Sequence, residues 1–152
     1  MPSIPHVQQE HPHWCGPAAL LMVLKFFGME KTQADLATLL KTSEEKGTSE
    51  EMMETVARNL GFDVRTGSGV YEEIVNALEE GSAVIVAFIE SQDTKGHHAV
   101  VTDANSDRIR LLDPAQSNNA HIVLSKEGFI KRWGSKYTAH HQWFMTLKPQ
   151  KR

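Results

Sequence analysis

Gln9-Glu10-His11-Pro12-His13-Trp14-Cys15-Gly16-Pro17-Ala18-Ala19-Leu20 holds the one cysteine of the chain and the start of its most apolar helix. The rest of the sequence reads as support or partner for it. Pro17 suits a first helical turn, where a missing N–H costs nothing, and the nearly all-apolar run from Ala18 to Phe27 is stopped by Gly28. A buried helix with a rigidly held tip is predicted. Thiols attack as thiolates, and open N–H groups at a helix N-terminus favour the anion, so Cys15 reads as a nucleophile of lowered pKa. The plainer alternative is a small core hydrophobe, the common fate of a free cysteine. Gln9 is placed to fold its amide back beside the thiol and join the Cys15 N–H in binding an oxyanion, with Gln8 as the substitute.

A length of 152 residues predicts a single domain, 1–152, able to bury a core without staples. One cysteine permits no internal disulfide, which suits a reducing compartment and leaves the thiol free. The opening MPSIPHVQQE lacks a basic segment followed by an apolar run, and no stretch has the length of a membrane span, so a soluble, cytoplasmic protein is expected. A net charge of −3, with scattered Lys and Arg, argues against nucleic acid as a partner.

Periodicity divides the chain in two. Residues 1–14, rich in Pro and His, read as an extended arm. Thr32 is placed to cap a helix Gln33–Lys41 that buries Leu36, Leu39 and Leu40, and Thr48 with Glu51 reads as a capping box opening a helix that Gly61 ends. Phe62–Thr66 then alternates as a strand, Gly67-Ser68-Gly69 turns it, and Tyr71–Glu80 returns as an amphipathic helix. Ala83–Ile89 is continuously apolar and β-branched, as in a central strand buried on both faces. With a loop at Ser91–Gly96 and a turn at Asn105-Ser106-Asp107, it forms a predicted antiparallel meander with His97–Thr102 and Arg108–Leu112. Ser125 caps a short helix to Trp133, and His141–Leu147 alternates as a last strand. The expected class is α+β.

His98 near the start of one strand and Asp113 at the end of the next are brought side by side by an antiparallel ladder. A nucleophile, an imidazole base and a carboxylate to orient it are what a Cys-His-Asp site requires. Strand neighbours face opposite sides, so only one of His97 and His98 points at Cys15, and the residues alone do not choose. Asp113 before Pro114 is equally a turn residue. The histidine pairs His11/His13, His97/His98 and His140/His141 invite a metal reading, but no cysteine pair or HExxH helix assembles a closed site, and no metal or cofactor is expected.

Gln9…Trp14-Cys15-Gly16-Pro17-Ala18-Ala19-Leu20, Gly96-His97-His98-Ala99-Val100-Val101 and Leu111-Leu112-Asp113-Pro114 together resemble the papain-like cysteine peptidases of the bacteriocin-processing type, which cut double-glycine leader peptides. The resemblance implies a papain-like fold with the Cys helix packed on an antiparallel sheet. It implies Cys15 as nucleophile, His98 as base, Asp113 as orienter and Gln9 as oxyanion donor. Its substrate would be a peptide or protein, and its partner an export transporter. Such peptidases are commonly joined to an export ATPase, whereas this sequence has neither a membrane span nor a GxxxxGK[ST] loop, and so looks like the free-standing group. Three functions stay open from sequence: a peptidase cutting after two small residues, with Trp14 as a cleft wall; an acyltransferase or transpeptidase using the same site; and a peptide-binding module without turnover.

Overall fold

The computed structural model describes residues 3–89, 97–116, 121–133 and 142–150. Helix α1 (Cys15–Phe26) starts at the cysteine, and its apolar run Ala18–Leu24 is buried throughout. A helix apolar on every side has to be enclosed on every side. α2 (Gln33–Leu40) begins on Thr32, whose hydroxyl accepts from the Asp35 N–H while the Asp35 carboxylate accepts from the Thr32 N–H. Leu39, expected inside, is 45% exposed, because only Leu36, Ala37 and Leu40 lie on the face of α2 turned to α1.

The capping box expected at Thr48 is replaced by a simple cap one residue on: Ser49 accepts from the Met52 N–H and opens α3 (Glu50–Asn59). Thr48 is used elsewhere. Its hydroxyl bonds that of Thr42 at 2.7 Å, and its side chain fills the space where a Gly16 Cβ would stand, only 2.5 Å from Thr48 Oγ1. Glycine is required there for close approach.

β1 (Phe62–Ser68) runs past the glycine expected to turn it, since Gly67 lies under Phe144, whose Cζ would sit 2.6 Å from a Cβ. After α4 (Tyr71–Glu79) come β2 (Ala83–Phe88), β3 (His97–Ala104) and β4 (Arg108–Leu112), paired antiparallel as expected. β5 (His121–Ser125) was not anticipated, because its burial is only partial and its alternation weak. α5 (Lys126–Arg132) starts on Ser125, and β6 (Trp143–Pro149) closes the chain. The loop Ser91–Gly96 and His141 lie outside the described residues.

The sheet is antiparallel in the order β1-β6-β2-β3-β4-β5, and β2 is buried along its whole length. Strand alternation gives it two faces. Ile85, Ala87, Val100, Leu112 and Met145 pack with α1, α2 and α3 on one face, while Val84, Val86, Phe88, Ala99, Val101 and Leu111 pack with α4 and α5 on the other. The α+β class is confirmed, and α1 brings its N-terminal tip to the end of the sheet where β3 starts and β4 stops.

Candidate active site

Cys15 is the first residue of α1, and its sulfur meets the start of β3. Sγ lies 3.8 Å from His98 Nδ1, and the backbone N–H of His98 also faces the sulfur. The thiol therefore rests against the peptide unit that joins His97 to His98. The residue keeps some surface exposure, yet burial of the sulfur pushes the thiol above its ordinary pKa. The N–H groups of His98, Gly16 and Cys15 pull the other way, and the Asp113 charge adds to the rise. The helix tip thus acts in the expected direction, but desolvation outweighs it.

His98 is buried against the edge of Trp143, with ring centroids 5.7 Å apart. Burial, reinforced by the charge of His97, pushes its pKa down to about 4, so the ring is neutral at neutral pH. Its Nε2 is enclosed and without a hydrogen-bond partner among the described residues.

Asp113 was expected beside His98 and is instead bonded to His97: Nε2 stands 2.9 Å from Oδ2. The ladder explains the difference. Val100 pairs with Leu112, so Asp113 follows on beside Ala99 and shares a sheet face with Ala99 and His97, while His98 turns to the opposite face with Val100. Asp113 is fully buried and its second oxygen accepts from the Ala115 N–H at 2.8 Å. The His97 ring is wedged edge-on against Phe88 at 4.6 Å. A carboxylate so placed orients the ring and fixes which nitrogen carries the proton it accepts.

The arm clamps this end of the sheet. His6 Nε2 donates to the Asp113 carbonyl at 2.9 Å and the Gln9 N–H to the Pro114 carbonyl at 2.8 Å. The Gln9 side chain turns into its own loop, its amide N–H groups donating to the carbonyls of His11 at 3.0 Å and Pro12 at 2.9 Å, with Oε1 enclosed and unpaired among the described residues. The Gln9 amide expected to face an oxyanion is thus engaged in shaping the turn into α1. Gln8 lends only its carbonyl, to Gln33 Nε2 at 2.8 Å. Gln33 is itself buried and also accepts from the Glu10 N–H, so it ties the arm to α2. Neither Gln33 nor His6 carries a sequence signal for these contacts. Trp14, half-buried, clusters with His11, 4.2 Å away by ring centroids, and His13, 6.2 Å away.

Among the described residues no group of three His, Cys, Asp or Glu side chains is arranged to hold a metal ion, and no helix is long and apolar enough to cross a membrane. His140 and His141 lie outside those residues.

Residues 3–141 match the model of the Peptidase C39 family. The chain belongs to that family. It is 33% identical over 122 residues to the lactococcin-A transport/processing ATP-binding protein LcnC of Lactococcus lactis, an alignment covering 78% of this chain and 16% of that protein. The chain thus spans about a sixth of the length of that relative. An uncharacterised protein of Methanothermobacter marburgensis is 35% identical over 125 residues, covering 82% of this chain and 80% of that one. The peptidase domain of Streptococcus ComA, a bifunctional ABC transporter of a quorum-sensing pathway, superimposes with a TM-score of 0.76 at 27% identity, covering 95% of this chain and 97% of the domain. A C39 peptidase domain is therefore the architecture that the helices and sheet build.

Proposed function

We propose that this chain is a cysteine peptidase that hydrolyses a peptide after two small residues of a double-glycine-type leader, through a thiol acyl-enzyme. The observation that carries the reading is the Cys15 sulfur against the His97–His98 peptide, with His97 already bonded to buried Asp113. The base is assigned to His97 in place of His98. An imidazole that must gain and lose a proton needs an orienting acceptor, which His97 has in Asp113; His98 has none among the described residues and is pushed down to about 4.

In the proposed sequence His97 Nδ1 takes the Sγ proton, and the thiolate attacks the scissile carbonyl carbon. The oxyanion is met by the Cys15 N–H, one of the open donors of the α1 tip, and by the Gln9 amide once its turn opens. His97 returns the proton to the leaving amine, and water then hydrolyses the thioester. The likeness to LcnC and to the ComA domain supports a peptide substrate delivered for export, with a transporter as partner.

The test is mass spectrometry on a leader-like peptide, its Gly→Val variant at the cut and a form truncated upstream, each with and without an added amine. Cleavage of the first alone, giving free acid, supports the reading. Equal cleavage of all three removes the leader specificity, and an amide product in the presence of amine moves the site to acyl transfer.

A further inference from the structure

The two edge strands of the sheet, β1 and β5, are built differently. β1 carries Asp63 and Arg65 at exposed positions, charges of the kind that keep another strand from pairing. β5, His121-Ile122-Val123-Leu124-Ser125, carries no Asp, Glu, Lys, Arg or Pro, and its register against β4 is unbroken by a bulge. No described strand pairs with its outer side. Its apolar side chains are only partly enclosed: Val123 is 51% exposed, and Ile122 and Leu124 are half-buried, as is Ile130 of α5. An unguarded apolar edge of this kind is a template for a further strand.

The charge beside the edge selects the strand. The register sets Arg110 against Val123 and Arg108 against Ser125, so both arginines share the face of Val123. α1, α2 and α3 cover that face as far as Leu112, and both arginines beyond it are exposed. Neither makes an ion pair among the described residues. Asp103, also exposed, stands opposite Arg110 on the β3 side without pairing to it, and β5 supplies no carboxylate on the other side. We propose that the β5 edge is an interaction surface for an extended segment of a partner protein in which carboxylates alternate with apolar side chains. Paired to β5, such a segment lays its apolar residues beside Ile122 and Leu124. Its carboxylates fall on the opposite face, their stems over Val123, about 10 Å from β4 across two strand spacings, a gap that a glutamate and an arginine close together. A second copy of this chain fits less well, because its β5 brings no carboxylate and adds its own Arg108 and Arg110 to the same face. The surface lies on β4 and β5 and does not depend on the peptidase reading.

The probe is a short capped peptide of alternating Glu and Val, with a Lys and Val counterpart. Binding to the full chain is followed by nuclear magnetic resonance and amide hydrogen exchange, with thermal melts as the check on folding. The Glu peptide should perturb the β5 amides and slow exchange at alternate β5 N–H groups. The Lys peptide should bind about threefold to tenfold more weakly, the range of two exposed ion pairs. Arg108→Glu with Arg110→Glu should reverse that order; should this variant fail to fold, Arg108→Gln with Arg110→Gln should bring the two affinities together. N-methylation of alternate residues of the Glu peptide should abolish binding in one phase and spare it in the other, which charge attraction alone would not do. No perturbation of β5 by either peptide, equal binding of both by the wild type, or equal effects of the two methylation phases would overturn the proposal. Dimerisation through β5 that excludes the Glu peptide would give the edge to a second copy and overturn it as well.

Discussion

His97 and His98 share a backbone, a strand and a name, yet one is paired with a carboxylate and the other is sealed beside a tryptophan. Each environment makes its own prediction. The His98 pKa is lowered from 6.5 to about 4, so between those values the unfolded chain binds a proton that the folded chain does not. Stability is fully present above the unfolded value and is lost as pH falls from 6.5 towards 4, by about 3 kcal/mol in order of magnitude for a shift of this size. Urea titrations at pH 7 and pH 4.5 should show that loss, and His98→Phe should remove most of it. At His97 the expected effect is on rate and on stability together: His97→Ala should lower kcat/KM by about 10²- to 10⁴-fold, and it should also lower the melting temperature, because the buried Asp113 carboxylate loses a partner. Asp113→Asn should fall between wild type and Asp113→Ala. One carbonyl oxygen can still accept from either His97 or the Ala115 N–H, but the amide nitrogen opposes the other donor. Equal, wild-type rates in both Asp113 variants would leave it a turn residue.

At the scale of an element, α1 is positioned by glycine at its second residue as much as by its apolar run. A methyl group on Gly16 would meet Thr48 Oγ1 at 2.5 Å and its Cβ at 2.7 Å, and Thr48 is held by Thr42. The tip of α1 has to move, carrying Cys15 with it. Gly16→Ala should cost about 1–3 kcal/mol, a fall of roughly 2–10 °C in melting temperature for a chain of this size. It should also change the alkylation rate of Cys15. Gly28→Ala is the matched control: Gly28 has φ +81 with open space around it, so its replacement strains the backbone far from the thiol and should leave alkylation unchanged. A normal alkylation rate in Gly16→Ala would show that the Thr48 contact does not set the tip.

Over the whole molecule the site is a junction of three parts that are distant in sequence: the tip of α1, the end of the β3–β4 ladder and the arm. The arm reaches back across 107 positions to place His6 on the Asp113 carbonyl. His6→Ala removes one hydrogen bond of about 1 kcal/mol and frees the backbone of the orienting carboxylate. Turnover should fall severalfold, more than so small a loss of stability explains. An unchanged turnover with a lowered melting temperature would reduce the arm to packing.

The sequence by itself determined the buried cysteine helix, most helix boundaries and the meander that starts from a fully buried strand, and it nominated Cys15, His98, Asp113 and Gln9 as candidates. These follow from local rules, since apolar runs, caps and period-two alternation are written in neighbouring residues. Only the tertiary structure decided how those residues pair. The face on which Asp113 falls depends on the register Val100 to Leu112, which no local pattern encodes, and that register gives the carboxylate to His97. The direction of the thiol shift was likewise beyond sequence, because a helix tip and a desolvated pocket act oppositely on one sulfur and their balance is set by how deeply the fold encloses it. Gln33 and His6 escaped notice, and Thr48 was read as a cap, for the same reason: each is an ordinary polar residue until the chain that folds against it supplies the partner.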